Sequence, residues 1–326
     1  MTLTPRFGVV AMMAFTLACG TGKGLAQDYP SRVIKLIVPI STGSTTDVVA
    51  RIVAEGMRTA LGQSVIVENR PGAGGTVGSA MVAKAPADGY TLLVVSSAHT
   101  SNPVLYSKLP YDGINDFKGI TMLAAMPQIL VTSPSKNIKS VAELIERAKA
   151  KPGSLTYGSG GVGSAVHMNA EQFRAMAKFE ALHVPYRGTP EVVTDLISGA
   201  IDFSFIPAGN VLGAIREGRL VALATGTEQR SRLLPDVPTT VEAGVPGSAY
   251  GPWIGMFAPA GTPAAVLERL NREAVKVLRT AETQQKLAGF GAEAAPMSHD
   301  AFDALVAKEV AGIRELVRIA KIPVSN

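Results

Sequence analysis

The chain has one cysteine in 326 residues, Cys19, so no disulfide framework can hold it and folding must rest on an apolar core. It has four histidines (His99, His167, His183 and His299), and none stands at metal-ligand spacing from another or from an acid. No Gly-x-Ser-x-Gly elbow supports a hydrolase serine. No glycine loop ends in Gly-Lys-Ser/Thr, which excludes a Walker-type phosphate site. Basic residues are scattered over helix-patterned segments (Arg51, Arg58, Arg147, Arg269) without interleaved aromatics, a distribution that argues against nucleic acid. Neither an internal repeat nor a low-complexity tract occurs. With no nucleophile, base or metal set in view, neither a metal nor a cofactor is expected.

What is present begins with an N-terminal signal. One basic residue, Arg6, precedes an apolar stretch over residues 7–18, which is too short to cross a bilayer. Gly24-Leu25-Ala26 then forms a small-x-Ala pattern before Gln27. Residues 1–26 are expected to direct export and to be cleaved, leaving no cysteine. Lipidation at Cys19, within Leu17-Ala18-Cys19-Gly20, ranks second because Thr16 stands where leucine is usual. Cleavage removes Arg6 and Lys23 and no acid, taking the net charge of +5 down by two to +3. Later segments are too short and too polar to span a membrane, so a soluble mature chain is expected. Its length of about 300 residues suggests two domains.

Along the mature chain, apolar β-patterned runs alternate with amphipathic segments. Strands are predicted at 33–38, 65–68, 91–96, 128–132, 155–158, 181–184, 203–206, 221–225 and 254–258. Helices are predicted at about 46–61, 76–84, 140–150, 164–177, 189–199, 210–217, 263–280, 281–289 and 300–320. Such alternation implies an α/β fold with parallel sheets and helices on both faces, and ligands beyond the carboxyl ends of the strands. The closing run of helices reads as an element returning to cover the first domain. That order predicts a discontinuous first domain, 27–126 plus 253–326, around a second, 127–252, with crossings near 125–128 and 247–253.

Three loops bear on function. After the first strand come Pro39-Ile40-Ser41-Thr42-Gly43-Ser44-Thr45-Thr46-Asp47, and a helix follows. Free N–H groups at that helix start, with the dipole behind them and hydroxyls around them, can hold a small anion; a plain N-cap explains the same residues. The second loop, Ser159-Gly160-Gly161-Val162-Gly163-Ser164, lets backbone N–H groups converge on a bound oxygen, with Ser164 at an N-cap position; its alternative is a tight turn. In the third, Pro71-Gly72-Ala73-Gly74-Gly75-Thr76-Val77-Gly78 fails the dinucleotide fingerprint because Val77 stands where the third glycine should be. It reads as a tight connection that lets the next helix pack closely. His99, in Ser96-Ser97-Ala98-His99, lies at a strand carboxyl end, where it and Ser97 can touch a ligand or belong to a capped polar loop. Asp202 precedes a β-run and can order waters or bond backbone N–H groups near a cleft, or serve as an ordinary turn acid.

Several motifs, taken in order, resemble the solute receptors of tripartite tricarboxylate transporters, the Bug family. They are Tyr29-Pro30-Ser31 leading to Ile34-Lys35-Leu36-Ile37-Val38-Pro39, Val67-Glu68-Asn69-Arg70-Pro71-Gly72, Ala87-Asp88-Gly89-Tyr90, Tyr157-Gly158-Ser159-Gly160-Gly161, His183-Val184-Pro185-Tyr186-Arg187-Gly188 and Pro235-Asp236-Val237-Pro238-Thr239. The resemblance covers essentially the whole mature chain. It implies a periplasmic binding protein of the two-domain Venus-flytrap kind, type II-like, which is no enzyme. It implies a monomer that takes a small carboxylate or dicarboxylate, aliphatic or aromatic, and delivers it to the membrane permease components. A ligand sensor reporting to a signalling partner is the alternative. The family's clamp maps onto Ser41, Thr42, Ser44, Thr45 and Thr46 on one side and Ser159, Gly161, Gly163 and Ser164 on the other. Tyr186 and Asp202 fall at positions that the family places near the cleft. Where relatives carry a glycine pair, this chain has Gly43-Ser44, so its first loop is richer in hydroxyls.

Overall fold

The computed structural model describes residues 1–2, 29–72, 75–161, 164–186, 188–320, 322 and 324. The expected export signal and cleavage site lie outside them, apart from Met1 and Thr2. The fold opens with β1 (Ile34–Val38), buried at every position except Lys35, as a strand covered on both faces must be. It stops at Pro39, which has no N–H to continue a ladder. The chain then turns into α1 (Thr45–Leu61), whose buried Val49, Val53, Met57 and Leu61 recur at helical spacing and face the sheet. Gly62 ends the helix in the left-handed region (φ 67°), and its N–H donates to the Arg58 carbonyl at 3.1 Å. Met57 is fully buried, so truncating it to alanine costs about 2–5 kcal/mol.

Six strands form the first sheet, in the order β11-β4-β10-β3-β1-β2. β2 (Val65–Asn69) and β3 (Thr91–Ser96) run parallel to β1. β10 (Trp253–Pro259), buried throughout, lies antiparallel between β3 and β4 (Phe117–Ala125), and the short β11 (Glu293–Ala294) pairs antiparallel with β4. α2 (Thr76–Ala83) packs close to the first turn because Gly78 has no side chain: a Cβ there would lie 2.8 Å from the Arg70 carbonyl oxygen. α3 (Ala98–Leu105) follows β3.

After a two-residue connection from β4, β5 (Gln128–Thr132) begins the second unit, pairing antiparallel with β8 (Ser204–Pro207) and β9 (Val221–Thr225). β6 (Thr156–Ser159) and β7 (Leu182–Pro185) form a parallel pair, and a bridge from Tyr157 to Phe203 ties that pair to the approach of β8. α4 (Val141–Ala150), α5 (Ala165–Ala177), α6 (Thr189–Ser198) and α7 (Ala208–Arg216) connect these strands. Tyr157, Phe173, Phe203 and Phe205 fill their core. The chain returns through β10 to α8 (Ala264–Leu278), α9 (Ala281–Ala288) and α10 (His299–Ala320). α10 touches both units: Phe302 and Val306 join Trp253 and Phe257, while Ile313 and Leu316 pack on Met168 of α5.

This is the two-domain α/β fold of a periplasmic binding protein. It differs from the sequence reading in strand direction and in three elements. The six-stranded sheet is mixed, the three-stranded sheet is antiparallel throughout, and only the β6–β7 pair is wholly parallel. β10 comes back from the second unit, so it enters the first sheet from the opposite end to β1, and β5 leaves the hinge while β8 and β9 run back towards it. β4 escaped notice because residues buried on both faces show no alternation, and Gly119 interrupts its apolar run. α3 escaped because it is short and polar and carries Pro103 inside. β11 is only two residues long.

Candidate ligand cleft

A cavity of about 280 Å³ opens between elements of the two units, at the first turns of α1, α3 and α5. Thr45 and Thr46 come from α1, Ser97 and Ser101 from the start of α3, Ser164 and Ala165 from α5, and Gln128 from β5. Tyr250, Pro252, Trp253 and Ile254 close the side where the chain crosses back.

The first wall is set by the acid that follows the hydroxyl loop. Ser44 caps α1, its Oγ accepting the Asp47 N–H at 3.3 Å. The Asp47 carboxylate accepts from the Gly43 N–H (2.9 Å), Asn69 Nδ2 (3.0 Å) and Arg51 Nε (3.0 Å). Burial alone would raise its pKa, but these bonds hold it below the ordinary carboxylate range. Asn69 also donates to the Ile40 carbonyl at 3.0 Å and accepts from Thr42 Oγ1 at 3.1 Å. The loop is thus held on the side away from the cavity. The Thr45 and Thr46 hydroxyls, without a hydrogen bond among the described residues, are left for a ligand.

The second wall is the end of β3. The Ser97 N–H donates to the Trp253 carbonyl at 2.8 Å, and its hydroxyl has no hydrogen bond among the described residues. Trp253 is fixed in turn by its indole N–H, which donates to the Glu309 carboxylate at 2.8 and 2.9 Å. Thr100 Oγ1 donates to the same group at 3.2 Å. Burial dominates over these bonds and pushes Glu309 up to about 7.

The third wall, the glycine loop after β6, rests on a stack of neutral rings, buried except at half-exposed His183. Ser159 Oγ lies 2.6 Å from His183 Nε2 and accepts the Gly161 N–H at 3.1 Å. The His183 ring stacks on Tyr157 (4.9 Å between centroids) and on His167 (4.2 Å). Desolvation, with His167 beside it, lowers the pKa of His183 to about 4, so the ring is neutral near pH 7. Gly161 takes φ +110°, a conformation that glycine adopts without strain. Ser164 caps α5, accepting the His167 N–H at 3.2 Å.

Neutral donors complete the floor. Gln128 is buried; its Oε1 accepts from Asn169 Nδ2 at 2.9 Å, and its own NH₂ has no partner among the described residues. The Tyr250 hydroxyl has no hydrogen bond among the described residues, and burial keeps it protonated. Among the described residues, no Asp, Glu, Lys, Arg or His lines the cavity. Positive potential must come from three helix N-termini and from hydroxyl and amide dipoles. Met126, Pro207, Pro252, Trp253 and Ile254 give the remaining wall an apolar character. Such a site favours a compact anionic group on an apolar body and offers no acid or base for catalysis.

Of the residues singled out in the sequence, Thr45, Thr46, Ser97 and Ser164 meet in the cavity. Ser44, Ser159 and Gly161 act one step behind, shaping the two loops. Ser41 and Thr42 are exposed and do not line the cavity, and Gly163 and Arg187 lie outside the described residues. Three residues need correction. His99 faces the core, its ring 5.0 Å from Phe117 and 4.4 Å from Phe257, where desolvation lowers its pKa to about 4; α3 turns it away from the strand end. Tyr186 donates its hydroxyl to Asp195 Oδ2 at 2.6 Å and packs under α6 rather than over the cleft. Asp202 accepts from the Thr156 N–H (2.7 Å) and Oγ1 (2.9 Å) and pairs with Lys136 at 2.7 Å. It therefore clamps the start of β6, whereas the cavity lies beyond the other end. Gln128, Tyr250 and Trp253 were not anticipated as site residues. Their signal was positional: they lie at the two interdomain crossings, and a crossing that bounds a cleft lines it.

Fold and site together define a solute-binding protein, a receptor and not an enzyme. The model of the tripartite tricarboxylate transporter family receptor matches residues 49–322, and the chain belongs to that family. It is 35% identical to the protein BugT of Bordetella pertussis, over 95% of each chain. An R. palustris protein solved with adipate, Rpa4515, is 33% identical and covers 91% of this chain and 99% of its own, with a TM-score of 0.74. MatC of Rhodopseudomonas palustris, solved with bound malate, is 31% identical over 89% of this chain and 100% of its own, with a TM-score of 0.69.

Proposed function

We propose that this chain is exported to the periplasm, loses residues 1–26, and as a monomer captures a small carboxylate or dicarboxylate between two domains, 27–126 plus 253–326 and 127–252. It then delivers the ligand to the permease components of a tripartite tricarboxylate transporter. The reading rests on one observation above the others: the first turns of three helices meet at a cavity lined by hydroxyls and, among the described residues, by no charged side chain. Thr45, Thr46, Ser97 and Ser164 hold the carboxylate, Gln128 and Tyr250 offer further neutral donors, and Trp253 and Met126 contact the apolar body. Adipate and malate in the two R. palustris relatives are ligands of this chemistry. Among the described residues no helix is long and apolar enough to cross a membrane.

Neutral donors suit carboxylates whose remaining surface is apolar, because a densely charged anion keeps more of its hydration than fixed dipoles can replace. A thermal-shift panel of mono-, di- and tricarboxylates, aliphatic and aromatic, tests the proposal. Stabilisation grows with the logarithm of ligand excess over the dissociation constant, so at least one small carboxylate should raise the unfolding midpoint by several degrees. A panel that is flat throughout contradicts the reading.

A further inference from the structure

A second cavity, of about 470 Å³, lies at the hinge. The β4–β5 crossing contributes Pro127, the loop after β9 contributes Arg230 and Arg232, and the end of α8 contributes Arg279. Gln284 of α9 and Glu293 of β11 also line it, with Thr227, Gln229 and Ser231. Unlike the cleft, it is rich in guanidinium groups. Arg230 is spent: its Nε donates to Glu242 at 2.8 Å and its Nη1 to the Pro235 carbonyl at 3.3 Å. Glu293 is engaged through Oε1, which accepts from the Ser231 hydroxyl and from the Arg232 N–H at 3.0 Å. The side chains of Arg232 and Arg279 have no acid or carbonyl partner among the described residues. Setting Glu242 and Glu293 against the three arginines leaves a positive excess and two free planar forks.

Guanidinium forks match the paired oxygens of carboxylate and phosphate. We propose that this cavity binds a small multivalent oxyanion, of phosphate or polycarboxylate type, between Arg232 and Arg279. The placement gives the site a consequence. Arg232 belongs to the unit built on β5, β8 and β9, whereas Arg279 ends a helix packed on the six-stranded sheet. An anion held by both ties the two units in the arrangement seen here. By linkage it alters the affinity of the cleft, and the cleft ligand alters its affinity by the same factor.

Calorimetric titration of the purified chain with inorganic phosphate and, separately, with citrate tests this site. Three proteins are compared: the unaltered chain, Arg232→Gln/Arg279→Gln and the cleft variant Thr46→Val/Ser97→Ala. Both arginines are exposed, so the hinge variant should keep its thermal midpoint. At least one anion is expected to bind the unaltered chain and the cleft variant alike and to weaken tenfold or more in the hinge variant; the tighter arginine-dependent anion identifies the ligand type. If neither anion binds, or binding survives loss of both arginines, the proposal fails. Arginine-dependent binding that disappears in the cleft variant would assign the anion to the cleft and also overturn it. Failure of the cleft reading alone would leave the hinge titration unchanged, so the two outcomes separate.

Discussion

The two hydroxyl-rich loops that face the cleft are held by opposite means. Residues 41–46 are anchored by a charged and partly exposed network, with the carboxylate of Asp47 between Arg51 and Asn69. The glycine loop is anchored at Ser159 by a set of neutral rings, half-buried His183 with buried Tyr157 and His167 stacked behind. The first support is open to solvent and salt, and the second is shielded from salt and sensitive to protonation. The contrast shows that counting hydroxyls does not locate a site. Five lie within residues 41–46, yet only those of Thr45 and Thr46 line the cavity.

The contrast can be broken most strongly at Ser159. Ser159→Val leaves His183 Nε2 and the Gly161 N–H without their partner; a fully buried unmet group costs about 1–3 kcal/mol, and these part-buried ones lie towards the lower end. Urea unfolding should show that loss, and calorimetry should show carboxylate affinity down by more than tenfold. Asp47→Asn should cost about 1–3 kcal/mol, and the difference from the parent should shrink as salt rises; a Ser159→Val defect that shrank equally would erase the distinction between the loops.

Proton linkage gives a smaller effect of known sign. His99 and His183 have folded pKa values lowered from 6.5 to about 4, so the folded state binds fewer protons there than the unfolded one, and stability falls as pH drops from 6.5 towards 4. Glu309, raised from 4.5 to about 7, acts oppositely, losing stability as pH rises from 4.5 through 7. Denaturation series across this range should show His99→Phe flattening the first slope and Glu309→Gln removing the second. Least of all, Ser41→Ala should leave both affinity and stability unchanged within about 0.5 kcal/mol, as expected of an exposed side chain outside the cavity.

Much of the fold was legible because α1, α5 and α8 carry clear apolar periodicity and because β1, β3 and β10 are short apolar runs bounded by turns. Strand direction was not, since it depends on which end of a sheet the chain re-enters, a long-range property of the hinge. In the site, the helix-start hydroxyls Thr45, Thr46 and Ser164 could be read because cap chemistry is local. Asp202 and Tyr186 could not, because a polar side chain that clamps a strand or helix and one that orders a ligand look alike until their partners are placed. His99 turned on a single undetected helix: α3 rotates it from the strand end into the aromatic core formed with Phe117 and Phe257.

The central claim is that dipoles and hydroxyls, without a charged side chain, hold a carboxylate in the cleft. Calorimetry of the triple variant Thr46→Val/Ser97→Ala/Ser164→Ala, against a carboxylate that stabilises the unaltered chain, tests it most directly. The account predicts at least a hundredfold loss of affinity in a protein that still unfolds cooperatively, each missing bond contributing about 0.5–1.5 kcal/mol or more where the acceptor is charged. Unchanged affinity in a folded triple variant would contradict it.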